Sequence, residues 1–440
     1  MSEVNLILKE LESNNIFLTG GAGVGKSHTT NEIIHHYRTQ SGKQVVALGS
    51  TGVSAVNIGG FTIHSFFAFG ISNNFEELEL SDKRNKSRLT ELKKILKATD
   101  LIIIDEISMV SADMMDMISY RLNTLGYQGK LLFVGDFYQL PPIKKFNQPN
   151  SNLFSDRLYA FESDSWREFN PIVIELTKMR RTNDAEFTHI LHKVRIGECD
   201  SEVINYMMRL TNNQIKEKNP TYLFGRNLEV NAMNREKLAS VDAKEHILVA
   251  TLEEHEGKIH EKRLATWKNV LPIDEQLILK EGVPVLFTIN KWGQYANGER
   301  GVVTKIEDDY IIVEKDNEFV RVQKHEFDLL DIQSDSDGKI KNKKLATLSQ
   351  FPLKLAYAVT IHKSQGMSID NLICNVDNIF APSQFYVAIS RAINPHNLRL
   401  EFSRGDLTNY LHKMVRVDKR VEEYYLQLGE AYISNEELPF

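Results

Sequence analysis

Apolar runs too short for helices alternate with longer stretches of helical spacing through the first 175 residues. The runs at 15–18, 45–49, 101–105, 131–135 and 172–176 are almost unbroken in Val, Ile, Leu and Phe. A strand open to water on one face alternates apolar with polar residues, whereas one covered on both faces need not. The pattern therefore predicts a parallel sheet with helices on both sides. Later runs at 222–225, 355–360, 372–376 and 398–402 predict a second sheet of the same kind. Two segments break the rhythm. Residues 70–98 are polar and charged, which reads as a small insertion. Residues 301–350 carry the short β-type runs GVVTKI, DYIIVEKD and FVRVQ between acidic turns, as a small barrel-like module would. The tail, 406–440, reads as helical.

The expected organisation is a first α/β domain at 1–69 and 99–170 holding the 70–98 insertion. A second spans 171–300 and 351–405 and holds the 301–350 module. Composition adds little, since 42% apolar and 25% charged residues describe an ordinary globular enzyme. No apolar run is long enough to cross a bilayer, so no membrane partner is expected. The N-terminal MSEVNLILKELESNN has acids where a secretory signal needs a basic start. The two cysteines, Cys199 and Cys374, lack metal-site spacing and fit a reducing compartment. The expected location is therefore cytoplasmic, in a bacterial or phage-type intracellular setting with no targeting signal. A net charge of −6 excludes a uniformly cationic surface but leaves room for a basic groove.

Chemistry enters at residues 20–27, GGAGVGKS, between the first predicted strand and a helix predicted from Lys26 to about residue 38. Backbone N–H groups of such a loop point at phosphates, and the helix N-terminus adds a favourable dipole. Lys26 is placed to reach the β- and γ-phosphates, and the Ser27 hydroxyl to ligate Mg²⁺. The run LIIIDE ends a buried strand in Asp105, where a carboxylate can hold the Mg²⁺ shell, and Glu106 follows to orient or deprotonate the attacking water. A loop of this kind also serves kinases and GTPases. The guanine-reading Asn-Lys-x-Asp is missing, because Asn290-Lys291-Trp292-Gly293 lacks the acid.

Later residues narrow the class. VGDFYQLPP (134–142) places Gln139 after another buried strand, where it can bond both γ-phosphate and water. Arg181 and Arg391 come from the second α/β series. Arginines reaching a γ-phosphate from a neighbouring domain contribute about 10³–10⁵ in rate and make closure depend on the intact triphosphate.

Together GGAGVGKS, TGVSAVNIGGFTIHSFF (51–67), IIIDEISMV (102–110), VGDFYQLPP, the region 179–181, VTIHKSQGMS (359–368) and QFYVAISRA (384–392) resemble the ordered motifs of superfamily-1 DNA helicases. The match is to the subclass moving 5′→3′, with RecD-like and Pif (petite integration frequency) families. TGVSAVNIGGFTIHSFF and residues 106–125 are most similar to the Pif family. NLEVNAMN (227–234) and residues 282–303 are shared with RecD-like proteins. The resemblance implies an α/β fold of two RecA-like P-loop domains, with a wedge-type insertion in the first and an SH3-like β-barrel insertion in the second. It implies ATP and Mg²⁺ as cofactors, held by Gly21, Gly23, Gly25, Lys26, Ser27, His28 and Gly366, with Asp105 at the metal. Its catalytic set is Lys26, Glu106, Gln139, Arg181 and Arg391. A single-stranded DNA track would touch Thr51, Asn57, His64, Phe66, Thr360, His362, Lys363 and Ser364. Phe67, Phe69 and Trp292 are further stacking candidates, with core packing the competing role for the phenylalanines. Expected substrates are single-stranded and tailed or forked duplex DNA, with G-quadruplexes and RNA–DNA hybrids as family possibilities, and the expected state is a monomer. Two alternatives remain open, a RecD-like recombination subunit and an ATP-switched DNA clamp. The first glutamine, Gln40, lies beyond the phosphate loop, so the family rather than an adenine-reading side chain supports ATP.

Overall fold

The computed structural model describes residues 3–142 apart from 71, 73, 74 and 85, residues 157–428 apart from 256–258, 260, 292 and 335–339, and residues 432–434. Trp292 thus lies outside the described residues. The chain divides into two compact units. The first comprises Met1–Lys178, Leu330–Lys343 and Asp418–Phe440, the second Met179–Leu329 and Lys344–Val417.

The first unit is built on a seven-stranded, all-parallel sheet. Its order is Tyr432–Ser434, Ile172–Glu175, Ile16–Thr19, Lys130–Val134, Leu101–Asp105, Val45–Gly49 and Phe61–Thr62. The five predicted strands sit within one residue of their expected bounds. Ile16, Leu18, Leu132, Ile103 and Ile174 meet Ile33, Ile34 and Tyr37 of the helix Lys26–Thr39 in one core. Removing such branched chains from water at about 25 cal/mol per Å² is what holds helix to sheet. The expected helical tail is two helices, Leu407–Met414 and Lys419–Gln427, followed by the edge strand Tyr432–Ser434.

The insertion is a pair of helices, Phe75–Arg84 and Lys86–Ala98. It buries Leu78, Leu92, Ile95 and Leu96. A buried ion pair anchors it: both terminal nitrogens of Arg121, on the helix Ala112–Leu125, donate to the Asp82 carboxylate at 2.6 Å. Arg121 Nε donates to Phe67 O at 3.0 Å.

The second unit carries a four-stranded parallel sheet, ordered Ala358–Thr360, Thr221–Phe224, Leu372–Asn375 and Leu398–Glu401. It also carries a five-stranded antiparallel sheet, ordered Glu318–Gln323, Tyr310–Lys315, Arg300–Ile306, Pro284–Phe287 and Leu353–Leu355. The five-stranded sheet does not coincide with 301–350: Pro284–Phe287 and Leu353–Leu355 complete it and Leu277, Leu279 and Val283 pack into its core, whereas His325–Ser334 and Ile340–Gln350 join Thr251–Glu254 in a separate three-stranded sheet. The run at 355–360 is two strands. Leu353–Leu355 serves the antiparallel sheet and Ala358–Thr360 the parallel one. Among the described residues no helix is long and apolar enough to cross a membrane.

Candidate active site

All strands of the first sheet run the same way, so their C-terminal ends converge on one edge. Strand Ile16–Thr19 runs there into the glycine loop. Gly20, Gly23 and Gly25 have φ of 133°, 86° and 99°, values closed to most side chains. At Gly20 a Cβ would also lie 2.3 Å from Leu176 O. Lys26 opens the following helix, and its Nζ donates to Gly20 O at 2.5 Å and Gly21 O at 2.9 Å. The ammonium therefore sits over the loop that a triphosphate would occupy. Ser27 is exposed at the helix start. His28 is exposed beside it, 3.6 Å from Glu32, and does not enter the loop's hydrogen bonding.

Asp105 ends its strand two positions across the sheet. Burial, and then the neighbouring Glu106 carboxylate, push its carboxyl up to about 7, while the Lys26 charge pulls the other way. A cation beside it would relieve both raising effects. Among the described residues no cluster of three acidic, histidine or cysteine side chains forms a metal cage. Ser27 and Asp105 carry the hydroxyl and carboxylate oxygens that would suit a Mg²⁺ ion held chiefly by phosphates and water.

Glu106 is left-handed, with φ 55° and ψ 50°. A non-glycine residue held there costs about 1–3 kcal/mol and persists only where its surroundings enforce it. The Asp105 carboxylate accepts from Glu106 N at 2.9 Å, and Gly135 packs against the next peptide. A Cβ on Gly135, whose φ is 154°, would stand 2.9 Å from Ile107 N. Gln139 is nearly buried, and its Nε2 donates to Asp136 Oδ2 at 3.3 Å.

Arg181 and Arg391 lie together in the second unit. Arg181 donates through Nε to Ser368 Oγ at 2.9 Å and through NH1 to Ser390 O at 2.6 Å. Arg391, 2% exposed, donates to Val387 O at 2.9 Å and Ser390 Oγ at 2.9 Å. Burial first, and Arg391 second, push Arg181 down to about 9. Two like charges this close are a place where an anion lowers the energy.

The DNA-facing expectations divide. Lys363 is exposed, His64 and Asn57 are half-buried, and half-buried His362 is held below its ordinary value by burial. Thr51 is occupied as an N-cap, accepting from Ser54 N at 3.1 Å. Five of the candidates are buried. Phe66 is 1% exposed and packs against Phe67 and Phe61, the core role that competes with base stacking. Phe67 and Phe69 are fully buried and stack on each other 5.5 Å apart. Ser364 is fully buried with its hydroxyl donating to Ile361 O, and Thr360 is 4% exposed, its hydroxyl accepting from Lys363 N. These two shape the turn that presents His362 and Lys363. Gly366, at φ 78°, lies exposed in that turn, in the second unit.

One aromatic escaped the sequence reading. Phe380 is 66% exposed and lies parallel to His362 at 6.5 Å, 21° between planes. Its backbone is fixed by Gln384 Oε1, which accepts from Phe380 N at 3.1 Å. Such a solvated ring beside an imidazole suits base stacking. Position before Ala-Pro was the available signal.

A glycine loop closing a buried strand, a lysine over it and a carboxylate pair at the same sheet edge define a P-loop nucleoside triphosphatase with RecA-like architecture. The model of the PIF1-like helicase family matches residues 2–205. The ATP-dependent DNA helicase Pif1 of Campylobacter jejuni is 40% identical over 430 residues, covering 95% of each chain. The crystal structure of a Bacteroides sp. Pif1 in complex with ADP-AlF4 superposes with a TM-score of 0.83 at 25% identity, over 98% of this chain and 97% of that one. Bacteroides Pif1 bound to ssDNA gives 0.66 at 26% identity over the same shares. The chain belongs to the Pif1-like helicase family.

Proposed function

We propose that the protein is an ATP-dependent DNA helicase that moves 5′→3′ on single-stranded DNA and opens tailed or forked duplexes, acting as a monomer in the cytoplasm. The observation that carries this reading is the carboxylate pair Asp105–Glu106 at the same sheet edge as Lys26, in a chain of this family. In this reading Lys26 leaves Gly20 O and Gly21 O for the β- and γ-phosphate oxygens. Ser27 and Asp105 are the residues that would hold a Mg²⁺ ion, which would supply neutralisation of the phosphate charge. Glu106 takes the proton of the attacking water, and its enforced conformation keeps the carboxylate at that position. Gln139 bonds water and γ-phosphate together.

Arg181 and Arg391 stabilise the charge of the transition state when the second unit closes on the nucleotide. The effect of the Arg391 charge on Arg181 supports this, since a pair of like charges gains most from a phosphate anion. Closure then depends on the γ-phosphate, and release of phosphate reopens the grip. His64 and Asn57 of the first unit, with His362, Lys363 and Phe380 of the second, hold the strand. Contacts of these types track the backbone and stack bases without reading sequence. The helical insertion is the wedge, and the β module the clamp. The family also suggests G-quadruplexes and RNA–DNA hybrids as substrates.

Lys26→Ala tests the nucleotide site. The variant should keep its thermal midpoint and its affinity for single-stranded DNA while ATP turnover falls to background. Turnover near that of the parent would show that Lys26 does not touch the phosphates.

A further inference from the structure

The helix Lys419–Gln427 brings a residue of the chain's last turns into the edge of the nucleotide site, within the first unit. Tyr425 is 8% exposed. Its hydroxyl lies 3.0 Å from Thr19 Oγ1, the residue just before the phosphate loop. The same oxygen accepts from Phe137 N at 3.3 Å and stands 3.5 Å from Asp136 Oδ1. Thr19 and Asp136 are both 0% exposed, so water cannot replace these bonds.

The ring is fixed as firmly as the hydroxyl. Tyr425 stacks on Tyr138 with centroids 4.5 Å apart and planes at 13°. Next to it Tyr424 stacks on Phe161 at 4.3 Å and meets Phe137 edge-on at 5.6 Å. One phenol therefore joins the ends of two adjacent parallel strands, Ile16–Thr19 and Lys130–Val134. Between them it spans the phosphate loop and the turn 136–139. That turn is held by Asp136, whose carboxylate accepts from Tyr138 N at 3.2 Å and Gln139 Nε2 at 3.3 Å. Gln139 N donates to Asp136 O at 2.9 Å. Any shift of Asp136 is thus passed to Gln139 directly.

We propose that Tyr425 is a positioning residue for ATP hydrolysis: its hydroxyl sets the Asp136–Gln139 turn against the phosphate loop and so aims the Gln139 amide. The inference rests on the role given to Gln139 above. It also explains why a helix at the far end of the sequence is docked on the first sheet rather than left on the second unit.

The test compares Tyr425→Phe, Gln139→Ala and the double variant in the full-length protein, with steady-state ATP turnover at saturating oligo-dT. Tyr425→Phe keeps the stacked ring but leaves the buried Thr19 hydroxyl and Phe137 N–H without this partner, so the thermal midpoint should fall by a few degrees while the affinity for a non-hydrolysable ATP analogue matches the parent. Loss of the groups that orient ligands at a metal site commonly costs 10–100-fold in activity, and the lower end of that scale is taken for the group that orients Gln139. The expected result is a kcat lowered about tenfold with the KM for ATP changed less than about twofold, and a double variant no slower than Gln139→Ala alone, because residues acting as a unit are not additive. A parental kcat in Tyr425→Phe overturns the inference. So does a further tenfold drop when Tyr425→Phe is added to Gln139→Ala. Should Tyr425→Phe not fold, Thr19→Val breaks the same bond from the other side and should lower kcat alike; parental turnover there is equally fatal. Parental turnover in Gln139→Ala alone would instead remove the role of Gln139, a failure distinct from that of Tyr425.

Discussion

Arg121 joins the inserted helices to the segment that carries His64, so removing it should loosen both. The guanidinium is 1% exposed, makes two 2.6 Å bonds to Asp82 and one of 3.0 Å to Phe67 O, and lies 5.9 Å from the Phe69 ring centroid. Arg121→Leu keeps an apolar body but strands the Asp82 charge and one carbonyl. Breaking one side of a buried pair costs about 3–5 kcal/mol. The Asp82 side chain retains 18% exposure and can turn toward water, which favours the lower end, about 3 kcal/mol. For a unit of some 200 residues, each kcal/mol moves the midpoint by about 2–4 °C, so the first thermal transition should fall by about 6–12 °C. Adding Asp82→Leu removes the stranded charge, and the double variant should regain most of that loss. Differential scanning calorimetry of the parent, both single variants and the double variant closes the cycle. A midpoint for Arg121→Leu within about 2 °C of the parent, or a double variant as unstable as the two singles summed, would refute the reasoning.

Two further outcomes follow from the site. Gly135→Ala forces a Cβ to 2.9 Å from Ile107 N and strains a φ of 154°, so it should displace Glu106. Stopped turnover with the ATP-analogue affinity retained is expected from rapid-quench and equilibrium titration, and unchanged turnover contradicts the packing argument. Phe380→Ala removes a 66% exposed ring and should leave the midpoint unmoved. It should weaken binding to fluorescent oligo-dT by about 1–3 kcal/mol, and unaltered affinity would exclude the ring from the strand's path.

The first sheet was legible because both of its faces are covered: runs such as 45–48 and 101–104 are apolar at every position, and burial leaves them no other state. The β module was harder to bound. His246–Val249 points Ile247 and Val249 outward at 59% and 57% exposure, so its apolar residues carry no sign of which face is inside. The strand Tyr432–Ser434 is three residues long and joins the sheet through a partner more than 250 positions away. At the site, the glycine loop and the Asp-Glu pair were visible because their chemistry demands those residue types in sequence. The burial of Phe66 and Ser364 was not legible because a local motif does not state which side of it faces the core. Tyr425 and the left-handed Glu106 leave no local mark at all, since both are defined by contacts made across the fold.

The central claim is directional strand separation powered at the Lys26 site. It is tested most directly by single-turnover unwinding of two fluorescent duplexes that differ only in carrying a 5′ or a 3′ single-stranded tail, with ATP and Mg²⁺. The account predicts release of the strand from the 5′-tailed duplex, none from the 3′-tailed one, and none from either with Lys26→Ala. Preferential opening of the 3′-tailed duplex, or equal opening by the Lys26→Ala variant, would contradict it.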